Sequence, residues 1–65
     1  MNELDTFVLK SDLNPIIKSG MTGVILLILE KNVYEVGFVK EDGRNYEFNG
    51  EFTFTVKADQ IEKYI

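Results

Sequence analysis

Side chains that commonly carry chemistry are scarce in this sequence. Its 65 residues include no histidine and no cysteine, so the usual general base, the thiol nucleophile and the commonest metal ligand are missing. Carboxylates and hydroxyls remain. Glu35 and Glu47 fall on the polar face of neighbouring strands, an arrangement that can imitate a pair of catalytic acids. Acid–base work at neutral pH requires one of them to be desolvated, and nothing apolar accompanies them, so they read as a solvated strand face. Ser11 and Ser19 share a loop with no base in the pattern. Glu41 and Asp42 could touch a cation, but their loop lacks the ligand density of a calcium site. They read as turn-forming acids, and neither enzymatic activity nor a cofactor or metal is expected.

The elements that position these side chains centre on residues 20–40, GMTGVILLILEKNVYEVGFVK. A two-residue turn at Lys31 and Asn32 makes Glu30 and Val33 the closing pair. Counting outward sets Leu29 against Tyr34, Leu27 against Val36 and Ile25 against Phe38, all on one face. Asn32 suits the turn because asparagine tolerates positive φ. The other face carries Val24, Leu26 and Ile28, with Glu35, Gly37 and Val39 across from them. A strand that is apolar on both faces requires a second cover. Residues 11–23 form a long loop holding Leu13, Ile16, Ile17 and Met21, and this loop is the expected cover.

Residues 4–10 read as a first strand. Glu41, Asp42 and Gly43 form a three-residue loop that sets Lys40 against Arg44 and Phe38 against Tyr46, and the same count sets Val36 against Phe48. Asn49 and Gly50 look like a hairpin turn. The alternation of Tyr46, Phe48, Gly50, Phe52, Phe54 and Val56 nevertheless runs through the pair without a change of phase. One long strand bent at Gly50 is therefore expected, with all of its large side chains inside. Ala58–Gln60 forms one helical turn, followed by a short closing strand with Ile61 and either Tyr64 or Ile65 turned inward. The evenly spaced aromatics Tyr34, Phe38, Tyr46, Phe48, Phe52 and Phe54 read as core rather than as a proline-stacking groove.

These features describe one all-β domain over residues 1–65: an SH3-like small barrel of about five strands, with a long first loop and a short 3₁₀ turn near the C-terminus. A hydrophobic fraction of 45%, with five Phe and three Tyr, is enough to fill such a core. The net charge of −4 and the scattered basic residues argue against a phosphate-backbone binder and favour a basic partner. Residues 1–7 show no secretory pattern, and the apolar run at 24–29 is too short to span a bilayer. A cytoplasmic location with no membrane association is expected.

The pattern resembles a family of small, uncharacterised bacterial proteins, the "domain of unknown function 4926" family. Leu4 and Asp5 with Phe7 and Leu9, Asp12 and Leu13, and residues 20–25 carry the first half of the likeness. Tyr34, Glu35 and Val36 with Phe38, Asp42 and Gly43, and Val56 with Asp59 and Ile61 carry the second. The sequence departs from that pattern at Gly37, where such proteins usually have an acid, and in the longer stretch from Gly43 to Val56. The resemblance implies a compact SH3-like domain and no particular chemistry. Residues 20–25 also resemble the KOW element of ribosomal and transcription proteins. That element is typically basic, so nucleic-acid binding is not expected.

Two candidate binding surfaces follow. One is the apolar strip of Val24, Leu26, Ile28 and Val39, with Gly37 as a side-chain-free spot. The other is an acidic face of Glu35, Glu41, Asp42, Glu47 and Glu51. The expected function is a non-catalytic protein-binding module, specifically an acidic inhibitor of the immunity or antitoxin kind directed at a basic enzyme. A structural homodimer held by the apolar strip is the rival.

Overall fold

The structure, a computed structural model, describes residues 1–64. Five antiparallel strands form one sheet: β1 (Thr6–Leu9), β2 (Thr22–Glu30), β3 (Val33–Phe38), β4 (Phe54–Lys57) and β5 (Ile61–Lys63). Their order across the sheet is β4-β3-β2-β1-β5. A 3₁₀ turn at Ala58–Gln60 joins β4 to β5, although they occupy opposite edges. In a flat sheet those edges would lie about 19 Å apart, at close to 4.8 Å per strand. Three residues of 3₁₀ helix rise only about 6 Å, so the sheet must curl strongly. Among the described residues no ladder joins β4 to β5, and the sheet is not closed.

Curling wraps one face of every strand around a single core. Phe7, Leu9, Ile25, Tyr34, Val36, Phe38, Val56 and Ile61 are buried there, with period two along each strand. The loop between β1 and β2 adds Ile17, which is fully buried, and the partly buried Leu13 and Met21. Asn14 shapes this loop: its Oδ1 accepts hydrogen bonds from the Ile16 and Ile17 N–H groups at 2.9 and 2.8 Å. Asp12 holds the return leg, accepting from the Ser19 N–H at 2.8 Å. The loop thus plugs the inside of the curl and leaves the outer face of β2 uncovered. That corrects the expected cover over Val24, Leu26 and Ile28. A fully buried Ile17 gains more from an interior lined by Phe7 and Phe38 than from a strip open to water.

The turn at residues 41–43 forms as expected. Lys40 N–H donates to Arg44 O, Tyr46 N–H donates to Phe38 O, and Gly43 takes φ 89°. The next stretch does not. Phe48 and Glu51 exchange backbone hydrogen bonds of 3.0 Å, with Asn49 at φ 54° and Gly50 at φ 81° between them. The chain reverses sharply there instead of continuing as one strand, so Val36 faces Phe54 and not Phe48. Phe52 points outward, 52% exposed. Thr53 lies outside the ladder and restores the phase, so Phe54 turns inward beside Phe38, ring centroids 6.0 Å apart. Two left-handed residues make the reversal easy locally, and the turn together with the unpaired Thr53 makes an odd-numbered excursion, 47–53, that leaves no trace in the alternation.

At the C-terminal end, the 3₁₀ turn is tied by Ala58 N–H to Asn32 O and by Lys10 N–H to Gln60 O. Ile61 is buried as expected and Tyr64 is exposed, while Ile65 lies outside the described residues. No helix among the described residues is long and apolar enough to cross a membrane.

Candidate protein interface

The register of β2 against β3 decides which of its aliphatic residues meet water. Glu30 pairs with Val33 as expected, but then Ile28 pairs with Tyr34, Leu27 with Glu35, Ile25 with Val36 and Gly23 with Phe38. The expected partners Leu29–Tyr34, Leu27–Val36 and Ile25–Phe38 are therefore displaced. Two bulges, at Leu26 and Leu29, absorb the difference. The cause lies at Gly23. Phe7 and Phe38 meet edge to face at 5.6 Å, and a β-carbon on Gly23 would lie 2.7 Å from Phe7 and 2.9 Å from Phe38. Only glycine fits beneath this aromatic pair, and placing it there pulls β2 out of the simple hairpin count. Since every residue from 24 to 29 is apolar, the shift costs β2 nothing in its own pattern.

On its other side β2 runs past its neighbour. The last bonds there are Leu4 N–H to Ile25 O at 2.7 Å and Ile25 N–H to Asp5 O at 2.9 Å. Beyond Ile25 no strand among the described residues covers that edge. Leu26, Leu27, Ile28 and Leu29 are consequently 42–49% exposed, and Leu4 beside them is 76% exposed. Leu26 and Leu27 lie on the outer face, the first over Gly37 and the second across from Glu35. Ile28 is across from Tyr34, on the core side but beyond the end of the core. Apolar contact and main-chain hydrogen bonding are what this surface offers.

The strip nominated from sequence is divided by the fold. Val24 and Val39, with Thr6, Thr22, Gly23 and Tyr64, line an apolar hollow of about 310 Å³, whereas Leu26 and Ile28 belong to the open end. The spot over Gly37 is not free, because a β-carbon there would lie 3.3 Å from Leu26 Cδ1. Leu27, Leu29 and Leu4 escaped the sequence reading, which placed the first two inside. No sequence signal marked them, because a first strand read at residues 4–10 is long enough to flank the run at 24–29, whereas β1 spans only Thr6–Leu9.

The acidic residues do not form one face. Glu35 and Glu51 share a hollow of about 370 Å³ with Asn14, Phe52, Thr53 and Thr55. The Thr53 hydroxyl donates to Glu35 Oε2 and the Thr55 hydroxyl to Oε1 at 2.9 Å, turning the carboxylate toward β4. Glu41 borders a different hollow, with Met21, Val39 and Tyr46. Asp42 is occupied by Arg44, whose backbone N–H and guanidinium bind it at 3.0 and 2.9 Å and hold its carboxyl below the usual range. Glu47 is exposed on the 47–53 excursion. Among the described residues no three acids converge closely enough to hold a metal ion.

In comparisons with known proteins, no family model, curated protein or solved structure matches the chain.

Proposed function

We propose that this chain is a non-catalytic protein-binding module whose partner seats against the open end of β2. One observation carries the reading: residues 26–29 are four consecutive large aliphatics, all exposed, on the stretch of β2 that runs past β1 and has no neighbour on that side among the described residues. A hydrophobic edge of this kind is a template for pairing with another chain. The same reading takes the curled sheet as an SH3-like small barrel left open along the seam between β4 and β5. Strand order and the 3₁₀ turn before the last strand support it. Kinship with the "domain of unknown function 4926" family is proposed on the same footing. The residues that carry that likeness include the core side chains Phe7, Leu9, Ile25, Tyr34, Val36, Phe38, Val56 and Ile61.

A second reading, an acidic inhibitor of a basic enzyme, is favoured by the hollow at Glu35 and Glu51. Two carboxylates beside the exposed ring of Phe52 suit a lysine or arginine side chain through charge and cation–π attraction. One experiment separates the two. The immobilised chain, its Leu27→Lys variant and its Glu51→Gln variant are each used to capture proteins from host extract at low and high salt. Capture lost with Leu27→Lys assigns binding to β2. Capture lost with Glu51→Gln and abolished by salt assigns it to the hollow. Capture indifferent to both variants removes both readings.

A further inference from the structure

We propose that the occupant of the β2 edge is a second copy of this chain, with residues 26–28 of each copy pairing antiparallel about a two-fold axis at Leu27. This rests on the protein-binding reading above and names its partner. Three observations favour self-pairing over a foreign strand.

The first is the run itself. Leu26, Leu27, Ile28 and Leu29 are aliphatic on both faces of the strand, so an isologous pairing sets aliphatic against aliphatic within the run, as two-fold symmetry requires of a self-complementary patch. The second is local charge. The chain carries −4, yet the tip of the hairpin holds Glu30 beside Lys31 and is neutral. A two-fold axis at Leu27 keeps the two copies of Glu30 six residues apart, about 20 Å at 3.4 Å per residue, well beyond the screening length of about 8 Å at physiological salt. Glu35 is turned away toward β4 by Thr53 and Thr55, and the acids Glu3 and Asp5 flank Leu4 only at the covered end, where the Ile25 N–H donates to Asp5 O. Within residues 26–29 no charge selects a basic partner or repels a copy of the same run.

The third is size. The exposed aliphatic patch is of the order of a few hundred Å², large enough to mark an interaction site. It is smaller than the roughly 800 Å² per partner of a standard stable interface. The bulges at Leu26 and Leu29 further limit how much of the edge can pair. A reversible, concentration-dependent dimer is what such an edge supports, rather than a permanent one.

Sedimentation equilibrium of the full chain, from micromolar to millimolar concentration, tests this. The wild type should pass from one to two chain masses across the range. Leu27→Lys alone and Leu27→Glu alone should stay monomeric, since like charges would face each other across the axis. An equimolar mixture of the two variants should regain the dimer, a recovery that misfolded variants could not give. A wild type monomeric throughout, a Leu27→Lys variant that associates like the wild type, or a mixture that stays monomeric overturns the proposal. If the wild type is monomeric and Leu27-dependent capture of another protein persists, only the second copy is excluded, and the protein-binding reading stands.

Discussion

A methyl group added at Gly23 would lie 2.7 Å from both the Gly37 carbonyl oxygen and the Phe7 ring, distances that real β-carbons do not occupy. Gly23→Ala should therefore cost about 1–3 kcal/mol by overpacking, read as a lower urea midpoint with an unchanged slope. The position also holds β2 in register, so cross-strand NMR contacts between residue 23 and Phe38 should weaken in the same variant. Asp12 makes a different kind of test. The Ser19 N–H it accepts, with Lys18 at 3.6 Å, lowers its carboxyl below the ordinary value, as Arg44 does for Asp42. With the folded value depressed, the unfolded chain binds more protons than the native state just below pH 4. The associated stability is present above about pH 4 and is lost as pH falls through the folded value. Asp12→Asn, which keeps an acceptor oxygen for the Ser19 N–H, should flatten that acid limb in a denaturation series.

At the scale of elements, the two-residue turn at Asn49 and Gly50 is where local chemistry prevailed over pattern. Both residues are left-handed, and a β-carbon on Gly50 would meet nothing within 4 Å. The penalty for Gly50→Ala is therefore purely one of backbone conformation, about 1 kcal/mol, measurable by thermal unfolding. If the segment were instead a continuous strand, the same substitution would be neutral or stabilising. The misreading has a physical source. Alternation reports which face a residue takes; the two-residue turn flips its phase and the unpaired Thr53 flips it back, so the seven-residue excursion at 47–53 leaves the pattern intact. Turn type is encoded by the Asn-Gly pair itself, whose two left-handed residues set the reversal. The three-residue loop ending in Gly43 was legible for the same reason, because a left-handed glycine and the face of Tyr46 agreed.

For the whole molecule, the decisive feature is the mismatch between a nine-residue β2 and a four-residue β1. β3 is flanked by β2 and β4, and β1 by β2 and β5, so the backbone amides of these two strands should exchange with solvent more slowly than those of the edge strands β4 and β5. Amides at the free end of β2 should exchange quickly in dilute solution and gain protection as concentration rises. Protection that does not depend on concentration would place a covering segment over the edge within the single chain. The small core leaves little reserve. Phe38→Ala, which removes the ring packed against both Phe7 and Phe54, should cost about 3–5 kcal/mol. That is comparable to the entire stability expected of a chain this size, so the variant should be largely unfolded at room temperature.

Taken alone, the order of residues determined the class of the fold, most strand positions, the turns at Asn32 and Gly43, and the inward set of Ile25, Tyr34, Val36, Phe38, Val56 and Ile61. Each of these is written in short-range periodicity or in a single residue's backbone preference. Register along β2 was decided only in three dimensions, because a run apolar at every position states no preference between its faces. The aromatic pair over Gly23, distant in sequence, made that choice. The same choice set Leu26, Leu27, Ile28 and Leu29 at an edge with no neighbour, and so placed the candidate interface where no local pattern could point.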